Sequence, residues 1–102
     1  MDSKIILGRI LQKFIDLKVS KFQDYNEFGF VNLTGTSVLV SRENGADTNI
    51  PFNKIITAIE GYQNNLELYN QGPSELRDLG ISHITSPIHS LLHLLPNEVY
   101  IK

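Results

Sequence analysis

The three histidines of the chain lie close together in the sequence and are the first candidates for chemistry. His83, His89 and His93 fall within eleven residues. The four-residue spacing of His89 and His93 places both rings on one face of a helix, as in half of a zinc site. Zinc takes three or four protein ligands, yet the chain has no cysteine, and the nearest acids, Asp78 and Glu98, lie outside this helix. We therefore expect no metal site. A pH-sensitive interface is the alternative, because histidine titrates near neutrality.

Other catalytic patterns are absent from the sequence. It contains no G-x-S-x-G elbow, the turn that presents a nucleophilic serine. Its glycines never cluster into a loop that could hold a phosphate. The acidic residues are spread through predicted turns and helix surfaces, not paired across a cleft as glycoside chemistry requires. We expect no catalytic residues and no cofactor, and the sequence predicts a protein that is not an enzyme.

Length, composition and charge limit the class of protein. The chain has 102 residues, of which 41% are apolar and 20% charged, with a net charge of −2. These values are typical of one globular domain, and we expect a single domain over residues 1–102. No run approaches the ~18 apolar residues of a membrane span, and MDSKIILGRI does not have the pattern of a secretory signal. We expect a cytoplasmic protein without membrane association. The negative net charge disfavours non-specific binding to nucleic acid, although residues 1–26 are net positive.

Hydrophobic periodicity predicts an α+β fold. Ser3 caps a helix over residues 3–17, and a connector follows over residues 19–27. Aromatic and β-branched residues then predict a three-stranded antiparallel meander over residues 28–50. Its second hairpin carries the Asn44-Gly45 pair, which tolerates the positive φ angles of a tight turn.

Two or three helices are predicted after the meander. Pro51 opens the first, which ends near residues 61–65 or continues to Gly72. A short helix over residues 73–79 ends at Gly80. Ser86 caps another helix, which Pro96 ends. The β-prone residues 99–101 predict a short closing strand.

The apolar arc of the first helix is wider than a surface helix needs against one neighbour. Its apolar side chains cover half of the helical wheel over residues 6–17. We expect the uncovered part to meet a second copy of the chain, through Ile6, Ile10, Phe14 and Leu17. The leading hypothesis is therefore a non-catalytic interaction module that forms a homodimer. An exposed apolar patch of this kind could also serve a different protein partner.

Residues 74–95 resemble a helix-turn-helix segment. The stretch Leu79-Gly80-Ile81-Ser82 matches the turn that precedes the recognition helix in such units. The resemblance implies DNA binding as the alternative function. Pro87 interrupts the expected recognition helix, and the segment has one arginine and no lysine. The residues that would contact DNA are Ser82, His83, Thr85, Ser86 and His89 at the groove, with Arg77, Arg9 and Lys13 at the backbone.

A second alternative is a small-ligand pocket between the meander and the helices. Aromatic residues recur on both sides of that predicted junction, and ligand pockets are commonly lined by such side chains. The candidate lining residues are Phe28, Phe30, Phe52, Tyr62 and Tyr69.

Overall fold

Helices cover one face of a four-stranded antiparallel sheet, which confirms the predicted α+β class. A computed structural model describes residues 1–102. The strands lie in chain order in the sheet. They are β1 (Val19–Ser20), β2 (Phe28–Leu33), β3 (Ser37–Arg42) and β4 (Thr48–Pro51). The α-helices are α1 (Ser3–Leu17), α2 (Phe52–Asn64) and α3 (Thr85–Leu92), and 3₁₀ helices span Leu66–Asn70, Pro73–Leu79 and Asn97–Tyr100.

The predicted meander is confirmed, and one further strand joins it. The β3–β4 hairpin turns at Gly45, whose φ of 95° is the positive angle expected there. Residues Val19 and Ser20 pair with Gly29 and Phe28, so the prediction of a connector was wrong at these two positions. Lys18 explains the difference, because its φ of 70° ends α1 and turns the chain back beside β2.

The helix ends differ from the sequence predictions in several places. Asp2, and not Ser3, caps α1, since its carboxylate accepts from the amide of Lys4 at 2.7 Å. The second helix ends at Asn64, the shorter of the two predicted ends. Ser86 is not the cap of α3, which begins at Thr85.

The closing strand predicted at residues 99–101 is wrong. Residues Asn97–Tyr100 form a 3₁₀ turn. The ring of Tyr100 is fully buried, and its hydroxyl donates to the carbonyl of Leu92. Packing of this side chain therefore outweighs the β propensity of the segment.

A single cluster of buried apolar residues joins the helices to the inner face of the sheet. Ile6, Ile10 and Phe14 of α1 belong to it, as do Val38 and Val40 of β3. Because side chains alternate along a strand, Ser37, Leu39 and Ser41 of β3 face the other side of the sheet. No helix combines the length and the apolar content that crossing a membrane requires.

Candidate functional site

The largest cavity is an open groove at the end of the sheet, where β3, β4 and the start of α2 meet. Its volume is about 570 Å³, within the range of small-molecule and peptide side-chain sites. The residues that line it are Gly35, Thr36, Ser37, Asn49, Pro51, Phe52, Asn53 and Ile56.

Hydrogen bonds of the backbone amides hold the residues around this groove in place. The hydroxyl of Thr34 accepts from the amides of Thr36 and Ser37 at 3.2 and 3.0 Å, which shapes the β2–β3 turn. Ser37 pairs with Pro51 across the sheet. The amide of Phe52 donates to the carbonyl of Thr36 at 2.9 Å, so the turn is tied to the first residue of α2. The β2–β3 turn and the start of α2, which both line the groove, are thus joined by a backbone hydrogen bond.

The groove carries hydrogen-bonding groups but no charged side chain. Asn49 and Asn53 each contribute an amide, which both donates and accepts, and Thr36 and Ser37 contribute hydroxyls. Phe52 and Ile56 supply apolar surface. None of these side chains titrates in water, so the groove contains no general acid, base or ionised nucleophile.

The uncharged surface continues from the groove along the outer face of the sheet. Leu39 pairs with Asn32 on one side and with Asn49 on the other, and Ser41 pairs with Gly29. Strand alternation places these side chains opposite the buried Val38 and Val40. The row therefore offers amides and a hydroxyl around one half-buried leucine.

The four residues predicted to meet a second copy do not form one exposed surface. Ile6, Ile10 and Phe14 are fully buried within their own chain. Only Leu17 is accessible, with 51% of the residue's surface exposed. Those three positions of α1 therefore need no second copy to cover them, because α2, α3 and the sheet already do so.

The segment that resembles a helix-turn-helix unit does not present its predicted DNA contacts on one exposed helix. The first element is a 3₁₀ helix over Pro73–Leu79, and residues 87–92 of α3 are all buried. His89 is 1% exposed and cannot reach a DNA groove. Ser82 and His83 are exposed, and Thr85 and Ser86 are half-buried. The exposed cations considered with them are Arg77 on the 3₁₀ helix and Arg9 and Lys13 on α1.

The two helical histidines are part of an aromatic cluster. The ring centres of His89 and His93 are 4.3 Å apart. Nε2 of His89 lies 3.0 Å from the carbonyl of Gln71, and burial lowers the pKa of His89 to about 4. No group of three or more His, Cys, Asp or Glu side chains is placed to hold a metal ion.

The aromatic residues proposed to line a ligand pocket are divided among several places. Phe28 and Tyr62 are buried in the core, and Phe30 packs against Phe14 with ring centres 5.6 Å apart. Phe52 alone lines the groove. Tyr69 lines a second, smaller cavity of about 170 Å³ beside Phe22.

Sequence reasoning missed most of the groove. Its residues come from the β2–β3 turn and from three elements, β3, β4 and α2, and serine, threonine and asparagine are usual in turns. The one available signal is the pair Asn49 and Asn53, which flank the Pro51-Phe52 step at which the strand becomes a helix.

No protein-family model matches the chain, and no curated protein or solved structure matches it.

Proposed function

We propose that this protein is a non-catalytic, cytoplasmic interaction module that binds an uncharged peptide segment of a partner protein in the groove between Thr36, Asn49 and Asn53. The observation that carries the proposal is the lining of the groove, which combines amides, hydroxyls and one aromatic ring without a charge. The centres of protein interfaces are depleted of charged residues and enriched in aromatic ones.

The hydrogen-bonding groups favour a peptide as the ligand. An asparagine side chain presents a donor and an acceptor side by side, which matches the amide N–H and carbonyl of a peptide backbone. Phe52 and Ile56 offer apolar contact for one side chain of that segment. The neutral amides and hydroxyl of the adjoining sheet face extend the same surface.

Self-association is the other form of interaction suggested by the sequence. It would rely on Leu17 and Ile5, the exposed large apolar residues within α1. These positions are twelve residues apart and differ by about 120° around the helix axis, so they form no continuous patch. The groove is the better-supported surface.

Selection of peptides from a random library displayed on phage, with the immobilised full chain as target, tests this function. We expect the enriched peptides to be poor in charged residues. A synthetic copy of the selected peptide should shift the backbone NMR signals of Thr36, Ser37, Asn49 and Asn53.

Asn53→Lys is the matched disruption, because Asn53 is exposed and the substitution adds a charge to the groove. It should weaken binding of the selected peptide at least about tenfold, because a longer, charged side chain then stands in a groove that complements an uncharged ligand. Asn26→Lys adds the same charge at an exposed loop position outside the groove and should leave binding unchanged. Failure to enrich any peptide, or signal shifts confined to other surfaces, would overturn the proposal.

A further inference from the structure

The loop between β3 and β4 carries the Asn44-Gly45 pair at its tip. The residues of this loop, 43–47, are all exposed. Asn44 is the one asparagine of the chain that is followed by glycine. The groove lies at the opposite end of β3, next to Ser37, so the function proposed for the groove makes no use of this loop.

Backbone hydrogen bonds do not hold this loop in place. None of the backbone hydrogen bonds that turns and loops form involves residues 43–47. The loop makes two other hydrogen bonds, through the side chain of Glu43 and the carbonyl of Ala46, and neither involves Asn44 or Gly45. Segments whose backbone groups are exposed and unbonded move most easily within a folded chain. The dihedral angles of this pair can therefore change without unfolding of the sheet.

Gly45 leaves the approach to its backbone nitrogen open. A Cβ atom at this position would meet no heavy atom within 4 Å, and the φ of Gly45 is 95°, an angle that glycine adopts without strain. Any other residue would place a side chain beside this nitrogen. A bond from the nitrogen to the side-chain carbonyl carbon of Asn44 closes a five-membered ring. Such a reaction within one molecule avoids the entropic cost of bringing two molecules together.

We propose that Asn44 is a self-modification site, at which the folded chain loses ammonia and gains a carboxylate from water. In the first step the backbone nitrogen of Gly45 bonds to the side-chain carbonyl carbon of Asn44. The bond from that carbon to the side-chain nitrogen breaks, and the nitrogen leaves as ammonia with the proton of the Gly45 amide. The product is a cyclic imide.

Water then opens the imide at either of its two carbonyl carbons. Attack at the side-chain carbon gives aspartate and restores the original backbone. Attack at the backbone carbon of residue 44 gives isoaspartate, in which the chain runs through the former side chain and gains one backbone atom. Either product adds one negative charge to the net charge of −2. The new carboxylate lies in the same loop as Glu43 and Asp47.

Two other asparagines serve as references for this reaction. Asn49 and Asn53 are also exposed, but the residues that follow them are Ile50 in β4 and Lys54 in α2. A side chain on the following residue hinders its nitrogen, and the strand and the helix hold the dihedral angles that ring closure must change. Both asparagines should therefore react more slowly than Asn44.

Incubation of the folded full chain in a mildly alkaline buffer, followed by proteolysis and mass spectrometry, tests the site. Cleavage after Arg42 and after Lys54 gives one peptide that contains all three asparagines. We expect aspartate and isoaspartate to form at Asn44 at least about tenfold faster than at Asn49 or Asn53. A sample digested at time zero measures the reaction that occurs during proteolysis. Equal rates at the three asparagines would overturn the proposal.

The chain unfolded in guanidinium chloride shows what the fold contributes to the rate. We expect Asn44 to react in the folded chain within about tenfold of its rate in the unfolded chain. If it stays intact in the folded chain while the unfolded chain is converted, the loop protects it and the proposal is wrong.

Asn44→Gln is the control for the assignment, because its longer side chain would have to close a six-membered ring. Ion-exchange chromatography separates the modified chain by its additional negative charge. The folded wild type should accumulate this acidic species, and Asn44→Gln should form far less of it. Equal amounts from the two proteins would place the modification elsewhere in the chain and would contradict the proposal.

Discussion

The hydroxyls of Ser20 and Ser90 lie 2.6 Å apart in the core and join the short strand β1 to α3 across seventy residues of sequence. Both side chains are buried among apolar neighbours. Each hydroxyl satisfies the other, and a buried hydroxyl without a partner is costly. The contact therefore fixes β1, which has only two residues, against the helix that carries the buried His89.

Removal of one partner of this pair should cost more than removal of both. Ser90→Ala leaves the hydroxyl of Ser20 buried and unpaired, and we expect a loss of about 1–3 kcal/mol in unfolding free energy. The double variant with Ser20→Ala should lose less than the sum of the two single variants. Urea denaturation of the four proteins measures the coupling. Strict additivity would mean that the two hydroxyls do not interact.

The Tyr62 hydroxyl is buried without any hydrogen-bond partner, whereas that of Tyr100 donates to the carbonyl of Leu92. Tyr62→Phe removes an unsatisfied polar group and should leave stability unchanged or raise it by about 1 kcal/mol. Tyr100→Phe removes a satisfied group from an equally buried ring and should lower stability by about 1–2 kcal/mol. Thermal denaturation of both variants compares them. A large loss for Tyr62→Phe would show that its hydroxyl has a partner, such as a buried water.

Local patterns in the sequence predicted the elements that are determined by interactions between residues close together in the chain. The bounds of α1 follow from helical periodicity, and the β3–β4 hairpin follows from the Asn44-Gly45 pair. The strand at Val19–Ser20 and the 3₁₀ turn at Asn97–Tyr100 depend instead on tertiary contacts, with Phe28–Gly29 and with Tyr62 respectively. A window of neighbouring residues contains no information about such partners.

The candidate site was less predictable than the fold for a related reason. A wide apolar arc on a helix has the same pattern whether a second subunit or the rest of its own chain covers it. Ile10 and Phe14 belong to the second case. In the groove, Thr36 and Asn53 lie near each other because the amide of Phe52 donates to the carbonyl of Thr36. These residues are near each other only in the folded chain.

Acidification should destabilise the protein through His89. The folded pKa of His89 is about 4, below the ordinary value of 6.5, because the ring is buried. The unfolded chain therefore binds a proton that the native chain excludes, and stability decreases as pH falls from about 6.5 toward about 4. We expect this proton to reduce the folding equilibrium constant by up to about tenfold per pH unit. Denaturation of His89→Gln across the same interval should show a shallower decrease, and parallel curves for the two proteins would contradict the assignment.

Two glycines with open space around them should respond oppositely to the same substitution. A Cβ atom at Gly8 or at Gly80 would meet no heavy atom within 4 Å. Gly8 is in the interior of α1, so Gly8→Ala should stabilise the chain by up to about 1 kcal/mol. Gly80 has a φ of 82°, so Gly80→Ala should destabilise it by about 1 kcal/mol through backbone strain. Thermal denaturation gives both signs, and a stabilising Gly80→Ala would mean that the turn adopts another conformation.

Lysine substitutions on α1 distinguish a core helix from an interface helix. Ile10 is fully buried within its own chain, whereas Leu17 is half exposed. Ile10→Lys buries an unpaired ammonium group and should cost roughly 4 kcal/mol or more, enough to unfold most of a small domain. Leu17→Lys places the same group in water and should keep the circular dichroism spectrum and the urea midpoint close to those of the wild type. Sedimentation of the wild type completes the comparison. If the wild type is a dimer and Ile10→Lys is a folded monomer, the interface lies on α1 after all. In that case a second copy covers Ile10, and the lysine becomes exposed to water when that copy dissociates.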